Sequence, residues 1–170
     1  GGFALACAKA GAASVTAVDI SEEAIASVRK NAELNGVQIE AVAENAFDFL
    51  KRESDKVRNG ADPKWDLIIL DPPSFTRNKK SLNGALRGYK EIHLRAMQML
   101  PVGGVLSTFS CSHHISSSLF KQTICEAAVD GHCTLRQTHT HGQSPDHPIL
   151  LNIPETEYLK GFSFEMVPGR

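Results

Sequence analysis

Three short stretches carry side chains suited to chemistry: STFSCSHHIS at residues 107–116, DPPSF at 71–75 and VTAVD at 15–19. In the first, a run of small and apolar residues ends at Cys111, flanked by serines and followed by His113 and His114. Such a cysteine has three uses: a buried thiol at a strand end, a metal ligand with the histidines, or a nucleophile. A metal is poorly served, because Cys-x-His-His lacks a fourth ligand at a usual zinc spacing. Adjacent histidines in an extended segment also point opposite ways. A nucleophile needs a thiolate, which a helix N-terminus and nearby positive charge favour. A helix is expected to start near Ser116, and the two histidines could add charge. Cys7, Cys125 and Cys133 sit in helix or strand contexts without partner chemistry and read as structural.

Asp71-Pro72-Pro73-Ser74-Phe75 closes the apolar run WDLIIL of residues 65–70. Two prolines lack amide donors and fix φ, so the backbone is stiff and cannot continue a sheet. Asp71 and nearby carbonyl groups are presented at a carboxyl edge, where α/β sheets bind ligands. Phe75 could stack on a base. A plain strand-ending turn is the alternative. Asp19, at the end of VTAVD, could accept from both hydroxyls of a ribose, or merely flank a helix beside Ser21. Asn45, in Glu44-Asn45-Ala46, could meet an adenine edge or cap a helix. No second glycine-rich phosphate loop accompanies Asp19. A cofactor without pyrophosphate, such as S-adenosylmethionine, therefore suits the pattern better than NAD.

Alternating strand and helix signals position these residues. Helices are expected over Gly2–Ala10, from Ser21 to a stop at Gly36, over Ala46–Arg58, Tyr89–Leu100 and Ser116–Val129. Ile25, Val28 and Ala32 fall on one face of the second, and Phe47 and Leu50 are expected inward on the third. Strands are expected over Val15–Asp19, Gln38–Ala43, Trp65–Leu70 and Val105–Ser110, with late strands over Cys133–His139 and Phe162–Val167. This order implies an α/β fold with a mostly parallel sheet covered by helices. A long loop from His139 to Pro154 holds three prolines, and loops of that length inside a domain are often functional. Gly1-Gly2-Phe3 opens directly at a helix, where a nucleotide-binding unit has a strand before its glycine turn. The expectation is a fragment lacking that first strand.

Composition sets limits. A chain of 170 residues suffices for one domain with a substantial core. No apolar run approaches the ~18 residues of a membrane span, and no secretory signal pattern is seen. Four dispersed cysteines without a C-x-x-C pair argue against a zinc ribbon or disulfide framework and suit a reducing, cytoplasmic setting. The net charge of −1 excludes a generic nucleic-acid binder, but Arg77, Lys79, Lys80, Arg87, Lys90 and Arg95 face the single acid Glu91 in one window. Such a patch holds a polyanion locally, or is a solvated face.

Taken together, GGFALA, VDI, DPPSF, RGYKEIHLRAMQML, TFSCS, DHP and YLKGF resemble the S-adenosylmethionine-dependent RNA cytosine-5 methyltransferases that modify large-subunit ribosomal RNA in bacteria. The resemblance runs in order over essentially the whole chain. It implies a Rossmann-like class I methyltransferase fold, mostly parallel with a late antiparallel strand. It also implies an N-terminal PUA RNA-binding domain and a first catalytic strand, both expected to lie upstream of Gly1. Carried onto this sequence, it implies cofactor contacts from Gly1, Gly2, Phe3, Asp19, Ile20, Asn45, Ala46, Asp71 and Pro73. Asn45 departs from the aspartate that relatives often carry there. Cys111 matches the family's nucleophile and Asp71 its partner on the base. Pro72, Phe75, Arg77, Lys79, Lys80, Arg87 and Lys90 are the implied ribosomal RNA contacts. A homodimer is one compatible assembly; neither metal nor membrane is implied. Asp146, His147 and Lys160 receive no assigned role.

The implied reaction answers a chemical problem. Carbon 5 of cytosine is a poor nucleophile until a thiolate adds at carbon 6, so a cysteine is required. The competing readings are a nitrogen methyltransferase acting on guanine or adenine, which needs no thiol, and an inactive RNA-binding domain of the same fold. A dehydrogenase lacks its pyrophosphate loop.

Overall fold

A computed structural model of the chain is described over residues 1–75 and 81–169. The chain divides into two compact units, residues 1–53 and 54–170. The expected alternation of helix and strand is present in both.

The first unit holds α1 (Gly2–Lys9), β1 (Thr16–Asp19), α2 (Glu22–Leu34), β2 (Glu40–Ala43) and the start of α3 (Ala46–Arg58). β1 and β2 pair in parallel, Thr16 against Glu40 through Asp19 against Ala43. α2 begins where Ser21 Oγ accepts the Ala24 amide at 3.2 Å, with Glu22 and Glu23 against its positive end. Ile25, Val28 and Ala32 form its buried stripe, and Gly36 follows it at φ +63. β2 is two residues shorter than expected.

α3 spans the expected residues but shows a different face. Phe49 and Leu50 are 9% and 5% exposed, whereas Phe47 is 37% exposed. The buried set is Phe49, Leu50, Glu53 and Ser54. At 3.6 residues per turn Phe47 lies about 90° from the centre of that stripe, which corrects the expectation that it points inward.

The second unit contains β3 (Leu67–Leu70), α4 (Leu82–Gln98), β4 (Val105–Ser110), α5 (Ser117–Asp130), β5 (Thr134–His141), a short 3₁₀ turn (Pro154–Thr156) and β6 (Lys160–Val167). Its sheet runs β3-β4-β6-β5. β3 and β4 are parallel, and β6 is antiparallel to both of its neighbours. Only β6 is therefore reversed in this sheet, as the expected late antiparallel strand requires. α4 starts seven residues before the expected Tyr89. Gly84 and Gly88 weaken the local helix signal, yet Ala85, Tyr89, Ile92, His93 and Ala96 keep a helical stripe, and all are buried.

Gly161 on β6 is required by a close approach. It faces Phe109 on β4 and His141 on β5. A Cβ there would stand 2.6 Å from the Phe109 ring and 2.9 Å from His141 Cβ. With no side chain at this point, the Phe109 ring comes within 5.6 Å of the His141 ring.

The core of this unit is aromatic. Phe120 on α5 is fully buried, edge-on to Tyr89 at 5.2 Å and to His93 at 5.5 Å, and stacked on Phe162 at 6.1 Å. Phe120→Ala is expected to cost about 3–5 kcal/mol through lost transfer energy and a cavity. Urea denaturation should show a lowered midpoint at an unchanged slope; a loss below about 1 kcal/mol would contradict this packing.

Candidate active site at the carboxyl edge of β3 and β4

Parallel pairing decides where the two candidate catalytic residues emerge. Leu70 is level with Thr108. Asp71 leaves β3 immediately afterwards, and Cys111 leaves β4 after Ser110. Both are thus brought to one edge of one sheet, on adjacent strands. Cys111 is a half-buried free thiol. Asp71 is exposed as a residue, but desolvation of its carboxyl raises it above the usual aspartate value.

Tyr89 stands beneath this edge. It is fully buried, and its hydroxyl lies 3.1 Å from Ser110 Oγ. Burial raises its phenol above the ordinary value, and the phenol interacts electrostatically with both Cys111 and Asp71. Its ring packs on Phe75 at 4.6 Å, so Phe75 already has one aromatic neighbour.

One helical turn on, His93 is also fully buried. Its Nδ1 lies 2.5 Å from the Tyr89 carbonyl, which can only accept, so Nδ1–H donates. Nε2, 2.8 Å from Thr108 Oγ1, accepts the threonine hydroxyl. The ring is therefore neutral in a defined tautomer, and burial lowers its pKa to about 4.

Beyond Cys111 the chain turns through a bonded loop. The Ser112 amide donates to Ser110 Oγ at 3.3 Å. The Ser112 carbonyl accepts from Ile115 N at 3.3 Å and from Lys160 Nζ at 2.6 Å. Ser116 then caps α5, accepting the Leu119 amide at 3.2 Å, so the helix starts where expected. A cavity of about 550 Å³ lies alongside, lined among others by His113, Ser116, His141, Glu157, Lys160 and Phe162.

The candidate cofactor residues of the first unit have local partners. Asp19 Oδ1 accepts the Ser21 amide at 2.8 Å. Asn45 Oδ1 accepts the Phe47 amide at 2.9 Å, the capping role open to it, just before Ala46 starts α3. Gly1 precedes α1, and a Cβ on it would stand 2.7 Å from Val28 Cγ2. Gly2, Phe3 and Ile20 are exposed.

Of the candidate RNA contacts, Arg77, Lys79 and Lys80 lie outside the described residues. Arg87 is exposed on α4, and Pro72 is half-buried beside an exposed Pro73. Lys90 is ion-paired with Asp130 at 2.8 Å, and Arg95 with Glu91 at 2.8 Å, so part of the basic window is locally neutralised. Asp146 and His147 are 3.8 Å apart in the long loop. Gln143 closes that loop, donating to the carbonyls of His147 and Thr156 at 2.7 Å each and accepting the Tyr158 amide at 3.1 Å. Among the described residues no group of three or more His, Cys, Asp or Glu could hold a metal, and no helix is long and apolar enough to cross a membrane.

Comparison with known proteins gives this edge a context. Residues 1–147 match the family model described as S-adenosylmethionine-dependent methyltransferase. The chain belongs to that family. Over 166 residues it is 42% identical to the ribosomal RNA large subunit methyltransferase I of Klebsiella pneumoniae (strain 342), covering 96% of this chain and 40% of that protein. The counterpart of Escherichia coli (strain SMS-3-5) is 41% identical with 96% and 41% covered. The chain therefore spans about 40% of the length of these curated relatives. Among solved structures, SMU.776, a candidate methyltransferase complexed with SAH, superposes with a TM-score of 0.79 at 24% identity, over 96% of this chain and 42% of that one. At that identity the likeness concerns the fold, which is Rossmann-like.

At this edge and in the loop beside it, sequence reasoning passed over Tyr89, His93, Gln143 and the Lys160 contact. Two signals were present. Tyr89 and His93 are four apart, on one helix face. Leu106, Thr108 and Ser110 alternate along β4, putting two hydroxyls on its buried side. Gln143 carried no comparable signal, because its partners are backbone groups of a loop.

The buried neutral imidazole makes stability depend on pH. The unfolded chain takes up the His93 proton near the ordinary 6.5, but the folded chain only near 4. Stability is therefore full above about 6.5 and falls as pH drops towards 4. Between pH 7 and 5 the folded protein should lose about 2 kcal/mol through this group. Chemical denaturation at both pH values should show that loss in wild type and its removal in His93→Gln; equal acid sensitivity in the two would refute the assignment.

Proposed function

We propose that residues 1–170 form a catalytic domain that transfers a methyl group from S-adenosylmethionine to carbon 5 of a cytosine in large-subunit ribosomal RNA. The observation carrying this reading is a free thiol and a carboxylate at the ends of adjacent parallel strands, Cys111 and Asp71. A thiol is superfluous for methylation at nitrogen and necessary for activating carbon 5. Membership of the methyltransferase family and the names of the curated relatives support the donor and the RNA class.

The residues present fit the donor. Asp19 uses one carboxylate oxygen on Ser21 N and retains the other for ribose hydroxyls. Asn45 uses its oxygen on the helix and retains its NH₂ for an adenine ring nitrogen. Gly1, Gly2 and Phe3 at the start of α1, together with Ile20 and Ala46, are the further nucleoside contacts proposed in the first unit, and Asp71 and Pro73 are donor contacts proposed in the second. Bound there, S-adenosylmethionine supplies an electrophilic methyl group.

The chain's own residues do the rest. The Cys111 thiolate adds to carbon 6 of the cytosine, forming an S–C6 bond and making carbon 5 enamine-like. Asp71 bonds the ring at N3 or the exocyclic amine and favours the protonated ring; a carboxyl held above its usual value suits this exchange. Carbon 5 takes the methyl group, a base removes its proton, and the S–C6 bond breaks to return the thiolate. Pro72 and Phe75 flank a base taken out of its stack. Arg87, with Arg77, Lys79, Lys80 and Lys90, holds the phosphate backbone by charge.

In the intact protein, Cys111→Ala should abolish both methyl transfer and the covalent adduct with 5-fluorocytosine RNA, while S-adenosylmethionine affinity stays within about twofold. Cys125→Ala should leave all three unchanged. Nucleoside mass spectrometry of the product should find 5-methylcytidine. Wild-type turnover in Cys111→Ala, or an N-methylated purine as product, would assign the chain to the nitrogen-methylating class.

A further inference from the structure

Lys160 opens β6 and is the cross-strand partner of Ser110, the last residue of β4. It therefore stands at the level where Cys111 leaves the sheet. Its Nζ donates to the Ser112 carbonyl at 2.6 Å, so a charged group from a different strand holds the residue that follows the thiol. Among the described residues this carbonyl is the one hydrogen-bond acceptor of the ammonium. An ammonium has three donors, and two remain.

The electrostatic surroundings give those donors a use. Lys160 interacts with both Cys111 and Glu157, each favouring its charged form, while burial works the other way and lowers the amine overall. Tyr89 from α4 and Lys160 from β6 interact electrostatically with Cys111, Asp71 lies at the neighbouring strand end, and His113 and His114 follow in the loop itself. Asp71 as a carboxylate opposes a thiolate, and Tyr89 is uncharged near neutrality. The first turn of α5, Ser117 to Phe120, carries no charged side chain. Lys160 is thus a cation from outside the loop whose electrostatics include the sulfur.

We propose that Lys160 is the positioning residue of the nucleophile: its ammonium ties the Ser112 carbonyl to β6 and sets a positive charge beside the Cys111 sulfur at the strand end. This goes one step beyond the reading of Cys111 as nucleophile and rests on it. No bond to Lys160 forms or breaks; its charge acts when the thiol gives up its proton to solvent and again when the sulfur is expelled from carbon 6.

The test is alkylation of the intact protein by iodoacetamide across pH, read at the Cys111 peptide by mass spectrometry with exposed Cys125 as internal reference. In Lys160→Met the Cys111 rate at pH 7 should fall about tenfold relative to Cys125, converging with wild type at high pH. Lys160→Arg should restore most of it. Circular dichroism establishes that the variants fold. Should Lys160→Met fail to fold, Lys160→Gln, which keeps a donor for the Ser112 carbonyl without the charge, is compared with Lys160→Arg. Slow alkylation in Gln and fast in Arg supports the proposal; equal rates overturn it, as does a wild-type rate in a folded Lys160→Met. Adduct formation with 5-fluorocytosine RNA by the intact protein is scored separately. Its absence in wild type, with the Lys160 dependence intact, overturns the nucleophile reading and leaves the positioning of the thiol standing.

Discussion

Two buried hydrogen bonds tie α4 to β4, Tyr89 to Ser110 and His93 to Thr108, and the site depends on them. β4 lies between β3 and β6, so its depth sets the level of both neighbours. Apolar contacts along Leu106 would tolerate sliding; hydroxyls with a fixed partner do not. Each of these polar groups would cost about 1–3 kcal/mol if left unpaired, so a shifted strand carries several such losses at once. A slip of one residue would also turn every side chain to the opposite face, exposing Thr108 and Ser110 and reversing Cys111. The tie therefore specifies where the thiol emerges as well as adding to stability. It works only with His93 neutral, which is why a group far from solvent makes the fold sensitive to acid.

The same logic runs through Lys160-Gly161-Phe162. Three consecutive residues serve three separate demands. Lys160 reaches the Ser112 carbonyl, Gly161 leaves room for the Phe109 ring, and Phe162 stacks on Phe120 in the core. Alternation along a strand separates such duties by face. The antiparallel pairing of β6 with β4 then puts all three opposite the last residues before Cys111. What reads in sequence as a short motif is a strand start that closes the site on the side away from Asp71.

Much of this was legible from residue types. α3 and β4 span the expected residues, because a capped amphipathic run and a β-rich run bounded by Gly104 and Cys111 give sharp local signals. The shared edge of Asp71 and Cys111 followed from strand order alone, since consecutive parallel strands end on one side. Failures came where local and tertiary preferences part. Gly84 and Gly88 hid the first two turns of α4, although packing keeps them helical. Phe47 looked inward by composition, but the angular position of the stripe favours Phe49. Lys90 counted towards a basic patch, yet Asp130, forty residues away, takes it in an ion pair. Such pairings are settled by tertiary approach and leave no trace in spacing.

For Asp19 and Asn45, the sequence posed a choice between helix-flanking residue and ligand contact. The local bonds are present in both, and they do not use up the side chains. A carboxylate has two oxygens and a carboxamide an oxygen and an NH₂, so one atom can serve the backbone while the other stays available. In both residues the local bond runs to an amide two positions on, Ser21 for Asp19 and Phe47 for Asn45. That bond restricts the side-chain torsions and fixes the direction of the remaining polar atom before any ligand arrives. Preorganisation of this kind lowers the entropy lost on binding. A capping interaction at the carboxyl end of a parallel strand is therefore compatible with a nucleoside site.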